Sequence, residues 1–521
     1  MNDYRKDEFG RNAHILINSI LLILLLIIVA LFIYANLFHY TAHMESDTGA
    51  ESIYGMVLAD NGLIAPESWH ASTEKRVISM PNLAAVIYKI CGEMNLSAGI
   101  ACSIFLVVMF LVMLMYYRYV GFDWTAALMA VIIPLVITRN MLFGLKIFAL
   151  YACYYCPHII CFYLMLYSYV FLVKEKRHNI PLEAITLIAS VMLGMQGYRA
   201  TLMVFLPLMT GEILGKMVQI AKRGYYRWLK LTDLSSLKPS QMEHNFSVTL
   251  WIFLCGITNA VVAKFSAPYG NDSSFHLRRA CDKLWGNVIP EAIALLDMDK
   301  ASRAIALLLM IVAAVGFALN FVKPFLRANL FLPWSLLVSM IVISFTNQES
   351  SSRYFIMLLF SIGAGCGIAY SLMEKRKVRV VVPLLAIVLS IMSFIADYNT
   401  LIRDDKSKFS DEYMLVNEIA EKGYTHGYAS FDFADMLTCY SNGEVIVAAI
   451  QLDELKATRW LTDETWYPPM LDVGEKCFII STDYSKALLE YCMAEKGIKS
   501  VCNEDIGIYT VYFFDVNPVE W

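Results

Sequence analysis

Long apolar runs separated by short polar segments set the pattern of this chain. The runs fall at 15–38, 99–117, 125–138, 147–173, 184–198, 200–215, 247–263, 304–322, 328–346, 354–373 and 380–396. Most reach the ~20 residues that a helix needs to cross a hydrocarbon core. Those at 125–138 and 184–198 are shorter and predict tilted, re-entrant or flank-extended helices. The expectation is a polytopic α-helical membrane protein with about eleven spans, one for each run. The first run is too long for the apolar core of a cleavable signal, and no small-residue cleavage site follows it, so it is expected to remain as an anchor.

From Asp397 to Trp521 the pattern changes to that of a soluble domain. Helical periodicity covers 411–422 and 484–496, and strand-like runs cover 427–431, 444–450, 476–481 and 506–514, which predicts a small α/β domain. The expected organisation is a membrane region over 1–396 and an extracytoplasmic α/β domain over 397–521. Within the membrane region, outer loops are expected at 39–98 and 265–303. Orientation rests on basic residues beside the spans. Arg5, Lys6 and Arg11, then Lys174, Lys176 and Arg177, then Lys222, Arg223 and Arg227, then Lys375, Arg376, Lys377 and Arg379 all fall inside if the N-terminus is cytoplasmic.

Composition agrees with a membrane protein. Charged residues make up 17% of the chain, against about 25% in soluble domains, and the mean hydropathy is +0.54. The net charge of −4 is uninformative for nucleic acid, since the basic residues are spread among loops rather than gathered on one domain, and no nucleic-acid partner is expected. The apolar runs are read as free of Asp, Glu, Lys and Arg. Ion-coupled transporters carry ionisable groups at mid-membrane, so this weighs against a transporter or a lipid or polysaccharide flippase and directs attention to the outer loops.

The most informative loop segment is 44–93. It is too polar for lipid, and Thr48-Gly-Ala-Glu51 fits a capping box, with Ala50, Ile53, Tyr54 and Val57 following at helical spacing. This predicts an amphipathic helix along the membrane surface with Asp47 just ahead of it and Glu51 as the capping partner. Asp47 is then either a general base or a charge favoured by the positive helix end, and the residues alone leave the two even. Outer-loop guanidinium groups suited to phosphate are Arg76, Arg139, Arg199, Arg278, Arg279 and Arg353, the last beside Tyr354. For any one of them, snorkelling to lipid headgroups explains as much. Trp69, Tyr198 and Trp285 could stack on sugars, though aromatic residues also favour membrane interfaces. Cys153-x-x-Cys156 has no second ligand pair and reads as packing. Cys439, Cys477, Cys492 and Cys502 leave one or two disulfides open.

The apolar span, the acid after it, the helix ending at Asp60-Asn61-Gly62 and the run from Met80-Pro81-Asn82 to Gly92 resemble the first periplasmic loop of GT-C membrane glycosyltransferases. The family 39-like, aminoarabinose-transferase-like group is the most similar. Arg353-Tyr354, opening a late span, resembles the corresponding segment of those enzymes. The resemblance implies a bacterial plasma-membrane enzyme that moves a sugar from a polyprenyl-phosphate carrier to an envelope glycan, lipid or protein. It makes Asp47 the base and Glu51 a candidate second acid, with a divalent cation such as Mg or Mn as an open option. Where the family often has two adjacent acids, this chain has Asp47-Thr48. A non-enzymatic envelope-assembly or glycan-binding protein on the same scaffold is the alternative.

Overall fold

The fold is described from a computed structural model, for all residues except 1, 73, 140–143, 152, 229–245, 267–275, 277, 323–326, 374–375 and 472. Its longer helices up to the middle of the chain are α1 (Asn2–Phe38), α2 (Ser46–Asp60), α3 (Met80–Cys91), α4 (Met94–Val120), α5 (Trp124–Val136), α6 (Cys156–Glu175), α7 (Ile180–Gln196), α8 (Leu206–Trp228) and α9 (Phe246–Ser266). Then come α10 (Lys300–Val322), α11 (Phe331–Phe345), α12 (Met357–Leu372), α13 (Arg376–Tyr398), α14 (Asp411–Glu421), α15 (Phe431–Tyr440) and α16 (Asp483–Glu495). Among the described residues nine helices are long and apolar enough to cross a membrane. The two runs that read as short in the sequence are the short apolar helices α5 and α7. By packing, the chain forms two compact units. One comprises Met1–Val29, Leu106–Ile147 and Tyr155–Ile395; the other comprises Ala30–Phe105, Phe148–Tyr154 and Ala396–Trp521.

The first unit is a helical assembly held by close backbone approach. With 13 residues, α5 is about 20 Å long, less than a hydrocarbon core. All of it after Trp124 is buried. It packs against α12, where a methyl added at Gly363 would lie 2.6 Å from the Ala130 carbonyl oxygen. On another side of α12 a methyl at Gly365 would lie 2.6 Å from that of Ala313 on α10. Small residues let helices meet where lipid gives no hydrophobic driving force. Polar pairs add to this: Thr201 donates to Asn259 at 2.6 Å, and the Asn259 amide donates to the Ser190 carbonyl at 2.8 Å.

Two expectations are corrected here. The apolar runs are not free of charge, because Glu212 lies within 200–215, is 1% exposed and accepts a hydrogen bond from Thr249 at 2.6 Å. The run at 147–173 is not one helix. Tyr151 and Cys153 take positive φ, and α6 begins only at Cys156, beside Pro157. Proline lacks the N–H that a continuing helix needs and is at home in a first turn.

The second unit contains a six-stranded sheet. Its strands are β2 (His426–Ala429), β3 (Ile446–Gln451), β4 (Lys456–Ala457), β6 (Val473–Thr482), β7 (Cys502–Ile506) and β8 (Tyr509–Val516), in the order β4-β3-β2-β6-β8-β7. The three strands β3, β2 and β6 are parallel, and the outer pairings are antiparallel. One face packs α14 and α15 through Leu415, Ile419 and Leu437; the other packs α16 through Leu489 and Met493. The helix α15 and the strand β7 were not foreseen in the sequence. The polar segment between α1 and α4 belongs to this unit, since β1 (Trp69–His70) pairs antiparallel with β5 (Thr462–Asp463), and α2 packs on α3 and α15. Helix α2 therefore does not lie open along a surface. Only Asp47, Met56 and Asp60 of its 15 residues are not buried. All four cysteines of the 397–521 region are free thiols.

Candidate functional site

The local fold around Asp47 starts with Glu45, whose extended backbone (φ −143°, ψ 167°) makes it the N-cap of α2. Asp47 falls in the first helical turn and is exposed. There the free amides and the helix dipole favour a carboxylate. The expected Thr48–Glu51 capping box does not form, and Thr48 instead donates to Glu45 at 3.4 Å. Glu51 is 2% exposed, and its carboxylate receives the Arg76 Nε at 2.7 and 2.9 Å. A buried carboxylate is stabilised far more by a guanidinium than by a backbone amide, which explains the exchange of partners.

Arg76 is correspondingly saturated. A second nitrogen pairs with Glu74 at 3.1 Å, and the guanidinium lies over the Tyr154 ring, 5.3 Å from its centroid. Burial works against its charge, but Glu51 and Glu74 outweigh burial and hold the proton more firmly than usual. Tyr154 links this cluster to Asp47, donating its hydroxyl to the Asp47 carbonyl at 2.8 Å. Burial, then the charges of Glu51 and Asp47, raise its phenol well above the usual range. Tyr54 is pushed up to about 12, by burial and then by Glu51. The sequence reading missed Tyr154, which carries no motif, and Asp435, which lies on the unforeseen α15. Asp435 is 3% exposed, and burial followed by the Asp47 charge raises its carboxyl well above the usual range.

Trp69 is engaged in packing. It stacks on Tyr54 at 4.7 Å and meets Trp466 edge-on at 6.0 Å. The remaining candidates belong to the other unit. Arg139 is held by Asp299 at 2.9 Å and Ser302 at 2.7 Å. Arg199 sits over the Tyr155 ring at 4.4 Å. Arg353 is partly buried and lies 5.5 Å from the Tyr354 ring centre. Arg278 and Arg279 are exposed, as are Trp285 (71%) and Tyr198 (41%). Among the described residues no three His, Cys, Asp or Glu side chains are grouped to hold a metal ion.

Long apolar helices, and an α/β domain that packs with the segment between α1 and α4, define a polytopic α-helical membrane-protein fold with a C-terminal α/β domain. The same fold is seen in crystal structures of ArnT from Cupriavidus metallidurans. The apo state superposes with a TM-score of 0.57, and the state bound to undecaprenyl phosphate with 0.59. Each alignment is 10% identical and covers 94% of this chain and 97% of the other. No protein-family model and no curated protein matches the sequence.

Proposed function

We propose that the protein is a membrane glycosyltransferase that moves a sugar from a polyprenyl-phosphate carrier to an envelope acceptor on the outer face. The observation that carries this reading is the end-to-end fold likeness to ArnT, one of whose structures holds undecaprenyl phosphate. In the proposed reaction Asp47 takes the proton of the acceptor as it attacks the anomeric carbon. The carrier phosphate departs with inversion. Asp47 suits the role because it is exposed at a helix start, while Glu51 is consumed by Arg76. Independently of Asp47, the guanidinium groups of Arg199 and Arg353 are proposed to bind the carrier phosphate, for which their paired donors are suited. The arginines are proposed to act with or without a divalent cation, to which no step is assigned. The N-terminus is proposed to be cytoplasmic and the α/β domain extracytoplasmic.

The test is transfer by the purified protein from undecaprenyl-phosphate-linked sugars, guided by lipid analysis of a deletion strain. A glycan or lipid missing from that strain and rebuilt in vitro is the expected result. An unchanged envelope, with binding but no turnover, would favour the non-enzymatic alternative.

A further inference from the structure

The side of α15 that meets α2 carries Phe431, Asp435 and Cys439, spaced one turn apart. Against them α2 sets Ser46 and Gly49. The Ser46 hydroxyl donates to the Phe431 carbonyl, and the Cys439 thiol lies 3.6 Å from the Gly49 carbonyl oxygen. A methyl added at Gly49 would stand 2.7 Å from the Asp435 carbonyl oxygen, so the two backbones touch. Asp435 is enclosed in this contact, and its Oδ2 is buried with no hydrogen-bond partner among the described residues. A protonated carboxyl tolerates such a place, whereas an ionised one without a partner does not. The other elements packed on α15 bring Glu412 (α14) and His426 and Tyr428 (β2), and α2 also carries Glu51. Among all these the charge that acts on Asp435 is that of Asp47.

We propose that Asp435 is a proton-operated latch between the C-terminal domain and α2, and so a positioning residue for Asp47. The positioning role rests on the reading of Asp47 as the base. The direction with pH follows from linkage. A carboxyl that holds its proton more tightly when α15 is seated stabilises the seating fully below the ordinary range, about pH 4. As pH rises toward the seated value the seating weakens, by up to about tenfold per pH unit.

Hydrogen exchange on the full chain, corrected for intrinsic rates and compared at about pH 5 and about pH 8, reads the latch directly. The parent is expected to lose protection in 46–60 and 431–440 by on the order of tenfold or more. Asp435→Asn, which keeps the shape of the acid but has no proton to lose, keeps its protection. Asp47→Asn, lacking the neighbouring charge, loses less than the parent. Equal losses in the parent and Asp435→Asn overturn the latch; if Asp435→Asn does not fold, an undiminished loss in Asp47→Asn overturns it. The pH profile of sugar transfer tests positioning: Asp435→Asn should extend activity to higher pH, and an unchanged profile overturns that role. Should no variant turn over, the transferase reading fails while the exchange result still decides the latch.

Discussion

Arg76 and Glu51 form a buried bidentate ion pair, with the Arg76 Nε 2.7 and 2.9 Å from the two carboxylate oxygens. It ties the polar segment after Trp69 to the middle of α2. Arg76 therefore works as a structural clamp on the helix that carries Asp47.

Breaking that pair from one side should be costly. Arg76→Ala leaves a carboxylate with 2% exposure next to Glu74, and losing one partner of a buried pair typically costs about 3–5 kcal/mol. Thermal melting of the purified protein should fall sharply. In a double-mutant cycle the Glu51→Gln/Arg76→Met change should cost less than the sum of its single changes. Additive effects would mean that the pair contributes little.

Asp47→Asn separates catalysis from helix stabilisation. A general base contributes roughly 10²–10⁴-fold in rate, and a charge in the first helical turn only ~0.3–1 kcal/mol in stability. Transfer should collapse while membrane insertion and melting stay near parental. Parental transfer rates in this variant would make Asp47 a helix-end charge.

At Arg353 the test is the fork of the guanidinium. Lysine keeps the charge but not the paired donors, so Arg353→Lys should weaken donor binding by roughly tenfold or more, given the strength of charged hydrogen bonds. Titration with undecaprenyl-phosphate-linked sugar checks this. Parental affinity in both the Lys and the Ala variants would reduce Arg353 to a headgroup anchor.

Topology has its own readout. Alkaline phosphatase fused after Asp397 should be active, because the basic segment ending at Arg379 is expected inside and one span follows it. Activity only from a cytoplasmic reporter at that point would reverse the orientation.

The spans were legible because transfer into an apolar phase is a property of each short segment alone, needing no partner. The short runs that became α5 and α7 were legible for the same reason. Most of the strands and helices of 397–521 also announced themselves by period. Helix α15 did not, since ten residues opening Phe431-Asp432-Phe433 give too little periodicity to stand apart from the preceding strand. The placement of Asp47 near a helix start was readable, but the fate of its neighbours was not. Glu51 looked like a capping residue because the local motif allowed it. The fold brought Arg76 close and made the longer-range partner the stronger one. Asp47 and Asp435 became electrostatic neighbours, although they are far apart in sequence, only through the packing of α15 on α2. Local hydrophobicity and helical period act over a few residues, and so the chain alone determined its spans and most of its elements. The partner of a buried charge depends on which surfaces meet, and that was decided by the tertiary structure.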